Sequence, residues 1–500
     1  MPLYPSLYQI NTRIWLNELS RQHGRRLTLA DVPDSALDTV AAHGFDWVWL
    51  LGVWQTGPVS RQISLTDPGL RAAYSEVLPD WRDEDVTGSP FAVQAYHVHA
   101  DFGGDSALAQ IRQRLAQRGL RLLLDFVPNH TALDHAWVRQ SPKFYIPGDE
   151  SDVLREPHNY QRVETTQGPR VLAHGRDPYF PGWTDTLQLN YRHPGFRQAM
   201  LGELTRIAGQ CDGVRCDMAM LLLPDVIART WGERSRPEGV SPVDTSFWPE
   251  AIAAVKARHP EFIFMAEVYW DLEWTLQQQG FDYTYDKRLY DRLHQQDSEA
   301  VRGHLLADAE YQRKSVRFLE NHDEPRAAGA FLPGVHEAAA VVAMLVPGMR
   351  FFYEGELEGR RVRASIHMGR RLTEPVDAGL QAFYRQLLDA LRRPEVRDGS
   401  WRLLACRAAW DGNGTWTRFL AFSWEHGTRR LLVVVNYGAT QGQCRVELPF
   451  SNLRGRRWQL HDSLAEKPYD RDGNELSQPG LYVDLPAWGR HVFEVQPIGG

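Results

Sequence analysis

The sequence predicts an α/β protein: a closed (β/α)8 barrel with a subdomain inserted after the third strand and an all-β sandwich behind it. Three observations carry this. Eight short apolar runs, each ending on polar residues, alternate with helix-like stretches, which is the pattern of a parallel sheet. About sixty residues, 131–194, separate the third run from the next helix and are rich in Pro, Gly, Asp and aromatic residues. A structureless loop of that length is unusual inside a compact chain, so the stretch reads as a small subdomain. From about Trp401 the helical period disappears and strands alternate with turns.

Taken in order, the first run is Leu7–Ile14 (LYQINTRI). Phe45–Leu51 follows a helix-like stretch from Ala36 to His43. Leu120–Val127 follows ALAQIRQRLAQR, whose apolar residues recur at helical spacing. Gly213–Asp217 is short and follows a helix beginning near Phe196. Phe262–Glu267 follows WPEAIAAVKARHP, Phe281–Tyr285 and Val316–Leu319 come next, and Met349–Glu354 follows the apolar helix AAAVVAMLVPG. Eight strands are the number a closed barrel needs. A last helix near Gly379–Arg392 precedes the tail strands TRFLAFSW, RRLLVVVNY, QCRVELPF and GRHVFEVQ. The predicted domains are 1–130 with 195–395 for the barrel, 131–194 for the insertion and 396–500 for the sandwich.

Bulk properties exclude several classes. The chain has 500 residues, 43% hydrophobic and 24% charged, ordinary for a globular protein. A formal net charge of -7 argues against nucleic acid as a partner, since neutralising phosphates needs a basic surface. The short arginine clusters at 360–363 and 370–371 read as loop and helix-end charges. No apolar run is long enough to span a bilayer, and MPLYPSLYQINTRIW has no basic region followed by an apolar one, so neither a membrane nor a signal peptide is expected. The four cysteines have neither CxxC spacing nor the density of a disulfide scaffold, which points to reduced thiols and a cytoplasmic protein. Oligomeric state has no sequence signal.

Four polar motifs fall at the downstream ends of strand runs: DFVPNH (Asp125, Asn129, His130), GVRCD (Arg215, Asp217), MAEVYW (Glu267) and ENHDE (His322, Asp323). In a barrel these ends share one face, where active sites sit. Arg215 and Asp217 are two apart on a strand and point the same way. A guanidinium beside Asp217 favours its ionised form, which suits a nucleophile. Glu267 ends the wholly apolar FIFMAE, so desolvation is expected to raise its pKa, which suits a general acid. Two carboxyl groups with separated pKa values are the arrangement of glycoside hydrolysis. Any one of these residues alone reads as a cap or a structural ion pair; four motifs in order at four strand ends do not.

The four motifs, with LQLN ending at Asn190, resemble the short sequence regions of the α-amylase family, glycoside hydrolase family 13, in the family's order. The resemblance implies a (β/α)8 TIM barrel and a retaining double displacement on α-glucosidic bonds of an oligosaccharide or α-glucan. By resemblance Asp217 is the nucleophile, Glu267 the acid/base and Asp323 the carboxylate that grips sugar hydroxyls. Arg215 is the nucleophile's partner, His130 and His322 donate to hydroxyls, and Asp125 is the structural acid of the first region. No cofactor is required. The family pattern allows Ca2+ with Asn129 as a ligand, and Asp149, Glu150 and Asp152 lie in the insertion; zinc is not expected, because His and Cys show no ligand spacing.

The departures bear on specificity. Met220 and Leu221 stand where α-amylases proper carry a Lys-His pair. Gly88-Ser89-Pro90-Phe91 stands where many exo-acting members carry Asp-x-Gly-Tyr, so Phe91 keeps a ring for sugar stacking while the Asp is gone. Most of the 17 tryptophans read as core; Trp183 and Trp270, beside the fifth and third regions, are the stacking candidates. Two other classes stand beside hydrolysis. One is a transglycosylase or phosphorylase with the same first half-reaction. The other is a non-catalytic binding or transporter-associated subunit, against which the intact acids argue.

Overall fold

The apolar runs pair edge to edge into one closed parallel barrel. The computed structural model describes residues 1–498. Its barrel strands are β1 (Ser6–Asn11), β2 (Trp47–Leu51), β3 (Arg121–Phe126), β4 (Gly213–Cys216), β5 (Ile263–Ala266), β6 (Tyr283–Tyr285), β7 (Ser315–Arg317) and β8 (Met349–Tyr353). Each strand pairs with the next, and β8 closes on β1 from Ser6↔Arg350 to Gln9↔Tyr353. These strands read as unbroken apolar runs because both faces are covered: WVWLL of β2 and MRFFY of β8 are buried at every position.

The first run is shorter than the sequence predicts. β1 stops at Asn11, whose side chain accepts from the Ile14 N–H and caps the helix Thr12–His23. Ile14 is buried as a helix residue, so its apolar character was no guide to where the strand ends.

Two excursions build the mouth of the barrel. The insertion after β3 begins with the strand His130–Ala132, which pairs antiparallel with Thr186–Gln188 and so returns the chain to its start. Between them lie short helices and a hairpin, Tyr160–Thr165 with Gly168–Ala173. The second excursion, between β2 and β3, has structure of its own that the sequence reading did not resolve. Trp54–Thr56 pairs irregularly with Val93–Val98, and the helices Pro58–Thr66 and Pro68–Val77 lie between. It delivers Ser89 and Phe91 to the mouth.

After the helix Ala378–Leu391 the tail forms a six-stranded sheet and a three-stranded sheet, beginning at Ser400. Side chains alternate across a strand, and here both sides are buried. Phe419, Ala421, Leu432 and Val434 enter the core between the sheets, while Leu420, Phe422, Trp424, Leu431, Val433 and Val435 join the barrel core. That is why FLAFSW and LLVVV carry almost no polar residue. Among the described residues no helix is long and apolar enough to cross a membrane, and the four cysteines are free and buried.

Candidate active site

β4 and β5 place the two central acids one residue past their ends. The ladder runs on through them: Asp217 N–H donates to Phe126 O at 2.9 Å, and Glu267 N–H to Cys216 O at 3.0 Å. Arg215, in register with Asp125 of β3, is fully enclosed and lies between both acids. Its Nη1 is 2.5 Å from Asp217 Oδ1 and its Nη2 is 2.7 Å from Glu267 Oε2. Glu267 also accepts from the Met218 N–H at 2.8 Å and the Tyr269 hydroxyl at 3.0 Å. Met218 turns into the left-handed region, φ 43°, which costs a non-glycine residue energy; that turn aims its N–H at the carboxylate.

Burial dominates the titration here. Glu267 is pushed up to about 7, first by desolvation, with Arg215 pulling down and Asp217 and Asp323 pushing up. Asp217 is also raised, because desolvation outweighs the pull of Arg215. Arg215 still favours the ionised form, as the sequence predicts. Asp323 goes the other way. Desolvation is the largest single influence on it and pushes upward, but His322, Arg215 and Arg363 together outweigh it and hold it at about 2. His322 Nε2 is 3.0 Å from Asp323 Oδ2, and Gln9 Nε2 meets His322 Nδ1 at 2.9 Å. His130 is pushed down to about 4 by burial and is neutral at neutral pH.

Asp217, Glu267 and Asp323 line one cavity of about 310 Å³, together with His130, Phe91 and Trp183. The Trp183 ring is 5.2 Å from that of His130, and Phe91 packs 5.5 Å from His322 with the Arg215 guanidinium 5.3 Å away. Asp125 lies behind the site, accepting from the Trp49 indole at 3.2 Å and the Gly52 N–H at 2.8 Å. Trp270 is not brought to the cavity. It packs edge-on against Tyr179 at 5.0 Å, with Arg229 over both rings. Its backbone, at φ 66°, turns away just after Tyr269, and nothing in MAEVYW marks that turn. Asp185, Thr186, Met218, Tyr269, Ile366 and His367 also line the cavity and were not expected there. Tyr269 had a signal, two residues from Glu267 and so on the same side of an extended chain. Asp185 had none; it accepts from the Ser60 hydroxyl at 2.7 Å.

Comparison with known proteins is consistent with this geometry. A family model described as alpha amylase, catalytic domain, matches residues 88–371, more than half of the chain. The chain belongs to the α-amylase family. Family relatives include the alpha-amylase MalA of Haloarcula japonica, 25% identical over 79% of this chain and 51% of that protein. Maltase 1 of Drosophila virilis is 25% identical over 70% of this chain and 58% of that protein. The chain thus spans a little over half the length of these curated relatives. Among solved structures, the noncanonic maltogenic alpha-amylase AmyB from Thermotoga neapolitana superposes with a TM-score of 0.69 at 17% identity, covering 99% of each chain. The alpha-amylase from Geobacillus thermoleovorans gives 0.65 at 16%, covering 98% of each. At these identities the structures speak for the fold.

In this member of the α-amylase family the residues at the expected calcium position do not fit the ion. Asn129 Oδ1 accepts from Gln188 Nε2 at 2.9 Å while Asn129 Nδ2 donates to Gln188 Oε1 at 3.1 Å, so the amide is turned toward Gln188. In the insertion, Arg234 lies 2.8 Å from Asp149 and 2.6 Å from Asp152, and Arg162 holds Glu150. Calcium needs six to eight oxygens, and among the described residues no three His, Cys, Asp or Glu converge as a metal site. Met220 and Leu221, in place of the polar pair of α-amylases proper, are buried in the core.

Proposed function

We propose that the chain is a retaining α-glucosidase-type hydrolase, acting on α-glucosidic bonds of short oligosaccharides or chain ends by double displacement. The observation that carries this is the single guanidinium of Arg215 shared by two buried acids, one of them pushed up to about 7. In this reading Glu267 carries the proton and Asp217, 2.5 Å from Arg215, attacks as the carboxylate. Asp217 attacks the anomeric carbon while Glu267 gives its proton to the leaving oxygen, and the glycosidic C–O bond breaks. Glu267, now a carboxylate, takes a proton from water; the water oxygen attacks the same carbon and releases Asp217. Asp323, ionised throughout, and neutral His130 are placed to hold the hydroxyls of the sugar in the cavity. A volume near 310 Å³ is at the small end for ligand sites, which favours a chain end over the middle of a long glucan.

The test is incubation with maltooligosaccharides, sucrose and trehalose, with and without sugar acceptors, followed by chromatography and proton NMR. Reducing sugar released first as the α-anomer is the expected result. An initial β-anomer would overturn retention, and products larger than the donor as the main species would replace hydrolysis by transfer.

A further inference from the structure

A second and larger hollow, about 820 Å³, opens between the helix Thr12–His23 and the excursion after β2. None of the three active-site acids lines it. Its wall is basic: Arg13, Arg21, Arg25, Arg26 and Arg61 line it, against the acids Glu84 and Asp101. The charges do not cancel. Asp101 is paired with Arg26 at 2.5 Å and Glu84 lies 3.8 Å from Arg82. Arg25 is paired with Asp31 at 3.1 Å. Arg13, Arg21 and Arg61 remain without a carboxylate partner among the described residues.

Arg13 is the informative one. It is only 7% exposed, yet its guanidinium meets neutral oxygens alone: Thr87 Oγ1 at 3.0 Å, Gly88 O at 2.6 Å and Thr56 Oγ1 at 3.0 Å. A buried charge with no carboxylate in contact is costly, and Asp101 acts on this one only from a distance. Four of the other most buried arginines, Arg197, Arg215, Arg317 and Arg326, each have a carboxylate within reach. Arg350 has none, but three carbonyl oxygens close around it inside the core. Arg13 differs in facing an open hollow. Burial lowers its pKa to about 10, still far above neutral, so it stays charged. Arg61 is likewise held by carbonyls, Val86 O and Asp83 O, both at 2.8 Å.

We propose that this hollow is a binding site for a small phosphate ester of about sugar size, its phosphate held by Arg13, Arg21 and Arg61. Guanidinium groups suit phosphate oxygens through paired, charge-assisted hydrogen bonds. The hollow is larger than the active-site cavity and far larger than a bare phosphate needs, so the anion is carried on a body that fills the rest. The site is independent of the catalytic reading, and binding is measured without turnover.

Isothermal titration at low ionic strength, using a hexose monophosphate, inorganic phosphate and the plain hexose, tests it. The ester is expected to bind saturably with a Kd of about 1 mM or tighter. Inorganic phosphate should bind more weakly, the hexose should give no comparable signal, and added salt should weaken the ester. Arg13→Met removes the donor to Gly88 O and risks the fold. Arg21→Glu changes an exposed, unpaired side chain, keeps the fold and is expected to weaken the ester at least about tenfold. No saturable heat from the ester, equal binding of ester and hexose, or an Arg21→Glu protein that binds the ester as the wild type does would each overturn the site. Inorganic phosphate binding as tightly as the ester would overturn the sugar-sized body.

Discussion

Glu267 joins chemistry and stability in one side chain. Its folded pKa, about 7, lies above the ordinary value near 4.5. As the proposed acid it must be protonated in the first step, so kcat/KM is expected to fall as pH rises through about 7; a profile flat from pH 6 to 9 would contradict the assignment. A raised folded pKa contributes stability that is present below the ordinary value and lost as pH rises through the folded one. Glu267→Gln removes that loss, so its Tm should exceed wild type at pH 8 and match it near pH 4, which thermal melts at both pH values decide. The same variant should turn over a glycosyl fluoride, which needs little protonation, far better than a natural glucoside. Azide should release an α-glycosyl azide from the trapped Asp217 ester; equal slowness on both donors with no azide product excludes Glu267 as the acid/base. Asp217→Ala should cost at least about 10³-fold in rate, roughly 4 kcal/mol, with the fold intact. More than a tenth of wild-type rate on every substrate would remove Asp217 from the role. At this scale the sequence was most legible where a motif ends an apolar strand. Asp217, Glu267 and Asp323 line one cavity because strand ends share a face. Trp270 and Asp185 went the other way, because a left-handed backbone turn and a loop's path leave no period to read.

Among the elements, the insertion shows how a loop of sixty residues is held without a long core of its own. Its two ends are zipped by His130↔Gln188 to Ala132↔Thr186, and the Asn129–Gln188 amide pair sits at the base of that zipper. Arg234, from beyond β4, reaches Asp149 and the buried Asp152 and ties the far side down. These contacts use the groups that a calcium ion would need. Differential scanning calorimetry is therefore expected to give the same Tm in EDTA and in millimolar Ca2+. A resident ion at a hundredfold excess over its Kd would add about 2.7 kcal/mol, a shift too large to miss. Arg234→Ala should lower stability by about 1 kcal/mol given its partial exposure, seen as a lower Tm that Ca2+ does not restore. Length and composition were enough to mark this insertion. They were not enough for the excursion after β2, where Pro58 and Pro68 start short helices that resemble loop punctuation in sequence.

Over the whole molecule, the tail is predicted as a separate sandwich, and its all-β character is legible because no helical period interrupts the strands. Its attachment was not, because an apolar strand does not say what covers each face. Trp424 is wholly buried, donates its indole N–H to Leu345 O at 2.7 Å and packs edge-on to Tyr4 at 5.1 Å, so one side chain ties a tail strand, the helix before β8 and the start of β1. Tyr437 does the same farther along, its hydroxyl donating to Leu293 O at 2.6 Å. Two layers that share one continuous apolar cluster cannot lose it separately, since opening either exposes the face of the other to water. Barrel and tail are therefore expected to melt in a single calorimetric transition. Trp424→Ala, which removes a large side chain and leaves Leu345 O without its donor, should cost about 3–5 kcal/mol and lower that one transition as a whole. Two resolved transitions in the wild type, or a variant in which only the tail melts early while the barrel keeps its Tm and activity, would mean the tail is an appended domain rather than part of the barrel's core.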